Sequence, residues 1–357
     1  MTQVDEIREE ARRNTRGRFE QWAKNPTCHA NTLSAVHNIR LDAVAKAAGL
    51  EPSYGQSPFA LARGNTFEAG LFYDDAARLR SALEKKDGLP AGSAGFLDLR
   101  LKMNRGTRLR TVDEALEHTA EWLQAIANDP AHAATIVAGP LIKIPKGVIL
   151  PEATLIIDAA TVVLNAEGKA KVTVGEVKVF PDRGGHTDPR QLASARAQAG
   201  IYRHALDLTV NAMGIADQLE IARDGFLVFT WPGSNSPSVR LNEDLTYQAI
   251  RAERGFERLE EVAFELVRDE DFSADKPELI ERVLHSETDY KEACLSFCDL
   301  APRCHQAAVD RDDAIILGSE VRRLLGDTTI TRALELLNGA EPVDDREQDL
   351  NRQLGLA

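Results

Sequence analysis

The alternation of apolar and polar residues predicts helical regions towards both ends of the chain and a strand-rich centre. From residue 133 to 179 the chain is rich in Val, Ile and Thr and is interrupted by turn residues, which predicts strands and hairpins, and a further strand is expected over 225–231. The order of these elements predicts an α/β fold. The predicted helices span residues 4–24, 31–49, 64–84, 111–128, 188–208, 314–338 and much of the chain after 246.

Local patterns refine this picture at a few positions. Thr111 with Glu114 three residues later forms a capping-box pattern, and Asp188-Pro189 is a typical helix start. The strand period of two places Glu176 and Lys178 on one face of a strand. The last fifteen or so residues are polar, and we expect them to be loose.

Composition is that of an ordinary globular protein. The 357 residues are 43% hydrophobic and 28% charged, enough for a substantial core. The charged start, Met-Thr-Gln-Val-Asp-Glu, lacks the apolar segment of a secretory signal, and no apolar run approaches the length of a membrane span. We therefore expect a cytoplasmic protein with no membrane partner.

The net charge of −13 does not suggest a nucleic-acid binder, but positive charge is locally clustered. Local basic patches can bind phosphate on an acidic protein, because local potential steers a polyanion. The alternative is that these residues lie on ordinary solvated helix faces. For the first cluster this alternative is as good as phosphate binding, because Glu9, Glu10 and Glu20 lie nearby. The two clusters are Arg8, Arg12, Arg13, Arg16 and Arg18, and then Arg100, Lys102, Arg105, Arg108 and Arg110.

The chain has four cysteines, in an uneven distribution. Cys28 stands alone near the start, whereas Cys294, Cys298 and Cys304 lie within eleven residues. Four thiolates are the ligand set of a tetrahedral structural zinc or of a 4Fe–4S cluster. Buried free cysteines are the plain alternative, and disulfides do not suit a cytoplasmic protein. Pro302 and the polar residues around the triplet favour a loop that wraps a metal.

Two acids and a lysine in the strand-rich centre have the chemistry of a metal-dependent phosphodiesterase. Asp158 lies in an apolar segment, and Glu176-x-Lys178 lies on a neighbouring predicted strand. Carboxylates bind hard cations such as Mg²⁺ or Mn²⁺, and a lysine can orient the nucleophile or neutralise charge. The Glu-x-Lys pattern also arises by chance, but an acid within an apolar segment is costly unless something positive binds it.

Two more motifs complete an ordered series. Gly64-x3-Glu68 places an acid at a predicted helix start, and Gln198-x3-Tyr202 places an amide and a phenol one turn apart. Together with Asp158, Glu176-x-Lys178 and the enclosing cysteines, the series resembles the RecB-like PD-(D/E)XK nuclease superfamily. More narrowly, it resembles the iron–sulfur branch, which includes CRISPR-associated RecB-type exonucleases and AddB nuclease domains.

The resemblance implies a fold and a division of the chain. The implied fold is a restriction-endonuclease-like α/β core, a central mixed sheet flanked by helices, with helical terminal regions joined by a metal cluster. The nuclease core would span residues 64–246 with a helical insertion at about 90–130. The N-terminal region, 1–63, would carry the first cluster ligand, and the C-terminal region, 247–357, the cysteine triplet.

The resemblance also implies roles for single residues. Asp158, Glu176 and the carbonyl of Val177 would bind Mg²⁺ or Mn²⁺, with Glu68 contacting the metal directly or through water. Lys178 would be the catalytic lysine. Gln198 and Tyr202 would orient the active site and contact DNA. The four 4Fe–4S ligands would be Cys28, Cys294, Cys298 and Cys304, although three residues separate the first pair of the triplet where two are usual, and His305 leaves a Cys/His zinc site open.

The leading functional hypothesis is a Mg²⁺- or Mn²⁺-dependent deoxyribonuclease that acts on single-stranded DNA or DNA ends, in DNA repair or antiviral defence. The chain has no Walker motif and so no motor of its own, which suggests a helicase or another defence or repair protein as partner. The alternative is a DNA- or partner-binding subunit with a nuclease fold and little activity. A zinc-stapled structural protein is the third hypothesis.

Overall fold

The structure is a computed structural model, and its elements are numbered here in chain order. It describes residues 15–37, 39–52, 58–90, 95–101, 110–132, 135–144, 153–267, 274–291, 294–295 and 297–355. The helices are α1 (Thr15–Lys24), α2 (His29–His37), α3 (Leu41–Ala47), α4 (Pro58–Leu71), α5 (Tyr73–Glu84), α6 (Val112–Asn128), α7 (Pro189–Ala212), α8 (Thr246–Val267), α9 (Lys276–His285), α10 (Ala301–Arg311), α11 (Ser319–Leu325), α12 (Ile330–Leu337) and α13 (Asp345–Gln353). The strands are β1 (Phe96–Asp98), β2 (Ile136–Ala138), β3 (Leu141–Ile144), β4 (Ala153–Ile156), β5 (Ala159–Leu164), β6 (Ala170–Pro181), β7 (Leu219–Ile221), β8 (Asp224–Thr230) and β9 (Pro237–Asp244).

The chain divides into two compact units. The central unit comprises Gln56–Arg258, and the terminal unit combines Met1–Gly55 with Leu259–Ala357. The central unit contains all the described strands, whereas the described elements of the terminal unit are helical. Among the described helices, none is both long and apolar enough to cross a membrane.

Seven of the described strands form a mixed sheet in the central unit. Its order is β1-β2-β5-β6-β8-β9, and β7 pairs with one end of β6. The β5–β6 and β8–β9 pairs are antiparallel, whereas β8 runs parallel to β6. The hairpin of β3 and β4 forms a separate two-stranded sheet. The expected α/β class with a mixed central sheet flanked by helices is confirmed.

Strand β6 is the centre of this sheet, and its residues alternate between two faces. Val177 and Val179 pack into an apolar cluster with residues of α4 and α5. Their neighbours Glu176 and Lys178 therefore point to the opposite face. Glu176 continues the row of Val172 and Val174, which are buried, so a carboxylate occupies a core position.

Helix α7 packs against β6 and β8 and begins as the sequence predicts. The side chain of Asp188 accepts hydrogen bonds from the backbone N–H groups of Arg190 and Gln191, and Pro189 occupies the first turn. The predicted capping box of Thr111 is also confirmed, at the start of α6. The buried side of α7 repeats at helical spacing through Ala195, Gln198, Ala199, Tyr202, Ala205 and Leu206.

Several expected elements are corrected. The predicted helices 31–49 and 64–84 are each two helices. Strand β1 lies inside the region expected to be a helical insertion, and neither β7 nor β9 was predicted, because strands this short or this polar give a weak periodic pattern. The C-terminal residues are not loose: α13 buries Leu350 against α12, and Glu347 forms an ion pair with Arg332.

Parts of the basic clusters lie outside the described residues. These are Arg8, Arg12 and Arg13 at the start, with the N-terminal part of the helix expected over 4–24, and then Lys102, Arg105 and Arg108.

The α7–α8 crossing generates a stability prediction. A side chain at Gly200 would stand 2.3 Å from Cβ of Gln248, whereas one at Gly64, inside α4, would meet nothing within 4 Å. We expect Gly200→Ala to lower the free energy of unfolding by about 1–3 kcal/mol through overpacking. Gly64→Ala is the matched control and should raise it by about 0.4–1 kcal/mol. Urea denaturation measures both, and equal effects of the two substitutions would contradict the close crossing.

Candidate functional site

Asp158 lies at the junction of β4 and β5, where the chain leaves the two-stranded sheet and enters the seven-stranded one. Its Oδ2 accepts a hydrogen bond of 3.0 Å from the backbone N–H of Val177, and its Oδ1 accepts one of 3.3 Å from the hydroxyl of Tyr202. Both oxygens are thus oriented by groups on β6 and α7. The register explains the proximity, because Ala159 pairs with Gly175.

Glu176 and Lys178 contact each other on β6, as their shared face predicts. Glu176 is fully buried and forms an ion pair with the ammonium of Lys178, which is about a quarter exposed. A buried carboxylate costs several kcal/mol unless it is paired. Lys178 therefore stabilises Glu176 while keeping a route to solvent.

Gln198 and Tyr202 connect α7 to this pair of strands. Nε2 of Gln198 donates a hydrogen bond of 3.3 Å to the hydroxyl of Tyr202, which in turn donates to Asp158. The two side chains are one helical turn apart and are both buried. The relay orients one acid from a helix, and it uses both residues of the Gln-x3-Tyr motif.

Glu68 joins the cluster from α4, but not from the position expected. It lies in the last turn of the helix rather than at its start, because α4 already begins at Pro58. Burial raises the pKa of the Glu68 carboxyl, and the charge of Asp158 raises it further, whereas Arg100 and Lys178 oppose the increase. Glu68 is therefore within electrostatic reach of both Asp158 and Lys178.

Asp98 and Arg100 also belong to this site, but the sequence did not predict them as a pair. Asp98, at the end of β1, accepts hydrogen bonds from Nε of Arg100 at 3.0 Å and from Nη2 at 2.7 Å. Burial raises the pKa of Asp98, but the hydrogen bonds and charge of Arg100 outweigh it, so the pKa is lowered. Arg100 also lies over the ring of Phe72. The only sequence signal was an alternation of three residues, too short to predict a strand.

The six predicted residues therefore form one cluster in the central unit. Carboxylates converge from a helix end, a strand junction and the middle of β6, with one ammonium among them. Oxygen-rich groups of this kind suit Mg²⁺ or Mn²⁺. Among the residues that the structure describes, no three His, Cys, Asp or Glu side chains already stand in a metal-binding arrangement. The fit therefore rests on the chemistry and proximity of the side chains.

The four cysteines lie in the terminal unit, although within the described residues no three of them already stand in a metal-binding arrangement. All are buried and line one small cavity. The triplet was expected to lie in a loop, but Cys304 lies in the first turn of α10, where Pro302 is tolerated. His305, the candidate for a Cys/His zinc site, packs its ring against Tyr290 and does not line the cavity within the described residues.

Each of the four sulfurs has a hydrogen-bond donor beside it. Such donors stabilise thiolate ligands and tune the metal that they hold. Cys294 accepts from Nδ2 of Asn25 at 3.3 Å and from the N–H of Lys291 at 3.4 Å. The remaining donors are the backbone N–H groups of Asn31 and Asp289 for Cys28, that of Leu300 for Cys298, and the hydroxyl of Thr288 for Cys304.

The thiols are not suited to ionise together without a cation. Burial raises the pKa of Cys298 to about 12 and that of Cys304 to about 11, and the other cysteines of the group add to both shifts. Four thiolates around one cavity therefore need a positive ion or cluster to offset the cost of burial and repulsion. The donor set and its hydrogen bonds fit such a group.

No protein-family model matches the chain, and no curated protein matches it.

The raised pKa of Glu68 generates a prediction for the metal-free protein. Because the folded state holds the proton of Glu68 more tightly than the unfolded chain, the stability that protonation contributes is fully present below the ordinary pKa of 4.5. It is lost as the pH rises through the raised pKa. Glu68→Gln should therefore be more stable than the wild type at neutral pH, with the difference vanishing near pH 4.5, as measured by urea unfolding in EDTA.

The exposed Glu117→Gln is the control for this comparison. A surface change of this kind should alter stability by no more than about 0.5 kcal/mol. A difference between wild type and Glu68→Gln that stays constant with pH would contradict the raised pKa of Glu68.

Proposed function

We propose that the protein is a Mg²⁺- or Mn²⁺-dependent nuclease that hydrolyses phosphodiester bonds of DNA, on single strands or ends. The observation that carries the proposal is the chain of hydrogen bonds from Gln198 through Tyr202 to one oxygen of Asp158. The other oxygen of Asp158 accepts a hydrogen bond from the backbone N–H of Val177, which is next to Glu176. Residues from three separate parts of the sequence series thereby meet at one place, which chance matches to short motifs would not require.

The residues that would hold the cation are Asp158, Glu176 and the carbonyl of Val177, with Glu68 as a further acid. A bound divalent cation activates water and stabilises charge on the phosphate. The chain's own contribution is orientation: Tyr202 and the N–H of Val177 fix the Asp158 carboxylate. A cation would also replace the protons that burial favours on Glu68.

Lys178 supplies a positive charge among the acids. It is paired with Glu176, and part of its side chain is exposed. An ammonium in this position can hold the attacking water or stabilise negative charge that develops on the phosphate oxygens. Tyr202 and Gln198 act through Asp158 and are positioning residues.

The terminal unit would hold a 4Fe–4S cluster on Cys28, Cys294, Cys298 and Cys304. The support is the complete set of four buried thiols with a hydrogen-bond donor for each sulfur. Its role would be structural, since it would tie the segment after α1 to the segments before and within α10. Zinc is the alternative occupant of the same four thiols.

The catalytic proposal is tested by cutting of a labelled single strand with Mn²⁺. We expect Lys178→Ala and Asp158→Ala each to lower the rate at least about a hundredfold, because each removes charge stabilisation in the transition state. Lys171→Ala is the matched control: it lies on the same strand, about 23 Å away along β6, and pairs with Glu220. The control should cut like the wild type.

Equal cutting by wild type and both site variants would exclude this site. Absence of cutting by the folded wild type, with binding of DNA retained, would instead favour the alternative of a binding subunit.

The cluster is tested by metal content and colour. Protein purified without oxygen should be brown, with broad visible absorption that dithionite bleaches, and should contain iron. Cys28→Ala should lose the iron and destabilise the terminal unit, because three thiols and their donors are left buried without the cation. His305→Ala is the control and should keep the iron. Colourless protein with one zinc per chain would contradict the cluster.

A further inference from the structure

A groove lies along one edge of the central sheet, outside the cluster of acids. It runs between α5 and the edge strand β9, is also lined by the loop after β6, and has a volume of about 870 Å³. Among the described strands, β9 pairs only with β8. We infer that this groove binds a stretch of single-stranded nucleic acid, with one base stacked on Trp231.

The wall formed by α5 is positively charged. Arg78, Lys85 and Lys86 line the groove, and all three are exposed. Arg78 lies in α5, and Lys85 and Lys86 directly follow its last residue, Glu84, so the cations are spread over about 10 Å of the groove wall. This spread suits a chain of phosphates rather than one small anion.

The acids that line the groove are already neutralised. Asp182 and Glu243 are buried, and Arg240 lies between them, with Nε donating to Glu243 at 2.8 Å and Nη1 at 3.7 Å from Asp182. Asp182 also accepts hydrogen bonds from the hydroxyls of Thr187 and Ser238. The exposed lining is therefore cationic, although the whole chain carries a net charge of −13.

Trp231 supplies an aromatic surface at the groove. It is 46% exposed, whereas Trp22 and Trp122 are buried. The β8–β9 turn holds its backbone: its N–H donates to the carbonyl of Ser236, and its own carbonyl accepts from the N–H of Ser234. A fixed, exposed indole beside cations is the pairing that single-strand binders use, because an unpaired base offers its face for stacking.

The register of the sheet gives the offset between this groove and Glu176 along the strands. Glu176 pairs in register with Leu227 on β8, and β8 continues parallel to β6 as far as Thr230. Trp231 is therefore about 13 Å further along the sheet than Glu176. Lys178 lies on the face of β6 opposite α5, so a strand held in the groove would reach it only around an end of the sheet. The inference deepens the proposed function, on which it rests, by naming where the strand is held.

Binding without cutting provides the test. In EDTA at low salt, oligo(dT) should quench tryptophan fluorescence, and the quenching should be lost in Trp231→Phe. By anisotropy of labelled oligo(dT), Trp231→Ala should bind about five- to a hundredfold more weakly, the loss of one stacked base. The triple variant Arg78→Ala/Lys85→Ala/Lys86→Ala should bind more weakly and lower the slope of log affinity against log salt by about two. Lys169→Ala/Lys171→Ala is the control and should bind like the wild type.

Four outcomes would overturn the inference. They are an absence of oligo(dT) binding, binding that leaves the fluorescence unchanged, equal quenching by a duplex, and equal quenching by poly-glutamate, which would indicate an acidic peptide instead. Cutting assays separate this result from the proposed function. Cutting without quenching would leave the nuclease and exclude the groove, whereas quenching without cutting would leave the groove and exclude the nuclease.

Discussion

The central unit depends on one costly placement, the carboxylate of Glu176 in a row of buried strand positions. A carboxylate there needs a positive partner, and the strand period supplies Lys178 two residues on, on the same face. The neighbouring strand then brings Asp158 alongside, because the antiparallel register pairs Ala159 with Gly175. Glu176 is thus held by the sheet itself, and Asp158 directly precedes one of its strands, so that neither position depends on a long loop.

Sequence reasoning predicted the features that depend on local periodicity. The shared face of Glu176 and Lys178, the one-turn spacing of Gln198 and Tyr202, and the start of α7 all follow from spacings of two to four residues. Features set by distant parts of the chain were not accessible in this way. The pair of Asp98 and Arg100 enters the site through a three-residue strand whose only partner among the described strands is β2. The position of Glu68 in α4 was missed because the start of that helix was placed six residues late.

The same distinction between local spacing and long-range contacts applies to the cysteines. Their number and spacing predicted a common site, and the structure brings all four to one cavity. Spacing could not show that Cys304 belongs to a helix, nor which groups donate to the sulfurs. Those donors, such as Asn25 and Thr288, come from segments that meet only on folding. The boundaries of the central unit, Gln56 and Arg258, differ from the expected 64 and 246, because α4 packs against β6 and the first half of α8 packs against α7.

The net charge is a poor guide to the surface of this protein, because its acidic and basic side chains have different locations. In the groove the carboxylates of Asp182 and Glu243 are buried against Arg240, where they organise the fold, while the cations of α5 face solvent. A ligand responds to exposed charge at short range, because salt screens the field beyond about 8–10 Å. A chain with an excess of acids can therefore present a cationic groove. At the acid cluster, too, location matters more than net charge. Burial there makes the ionised form of a carboxyl such as Glu68 unfavourable unless a proton or a cation offsets its charge.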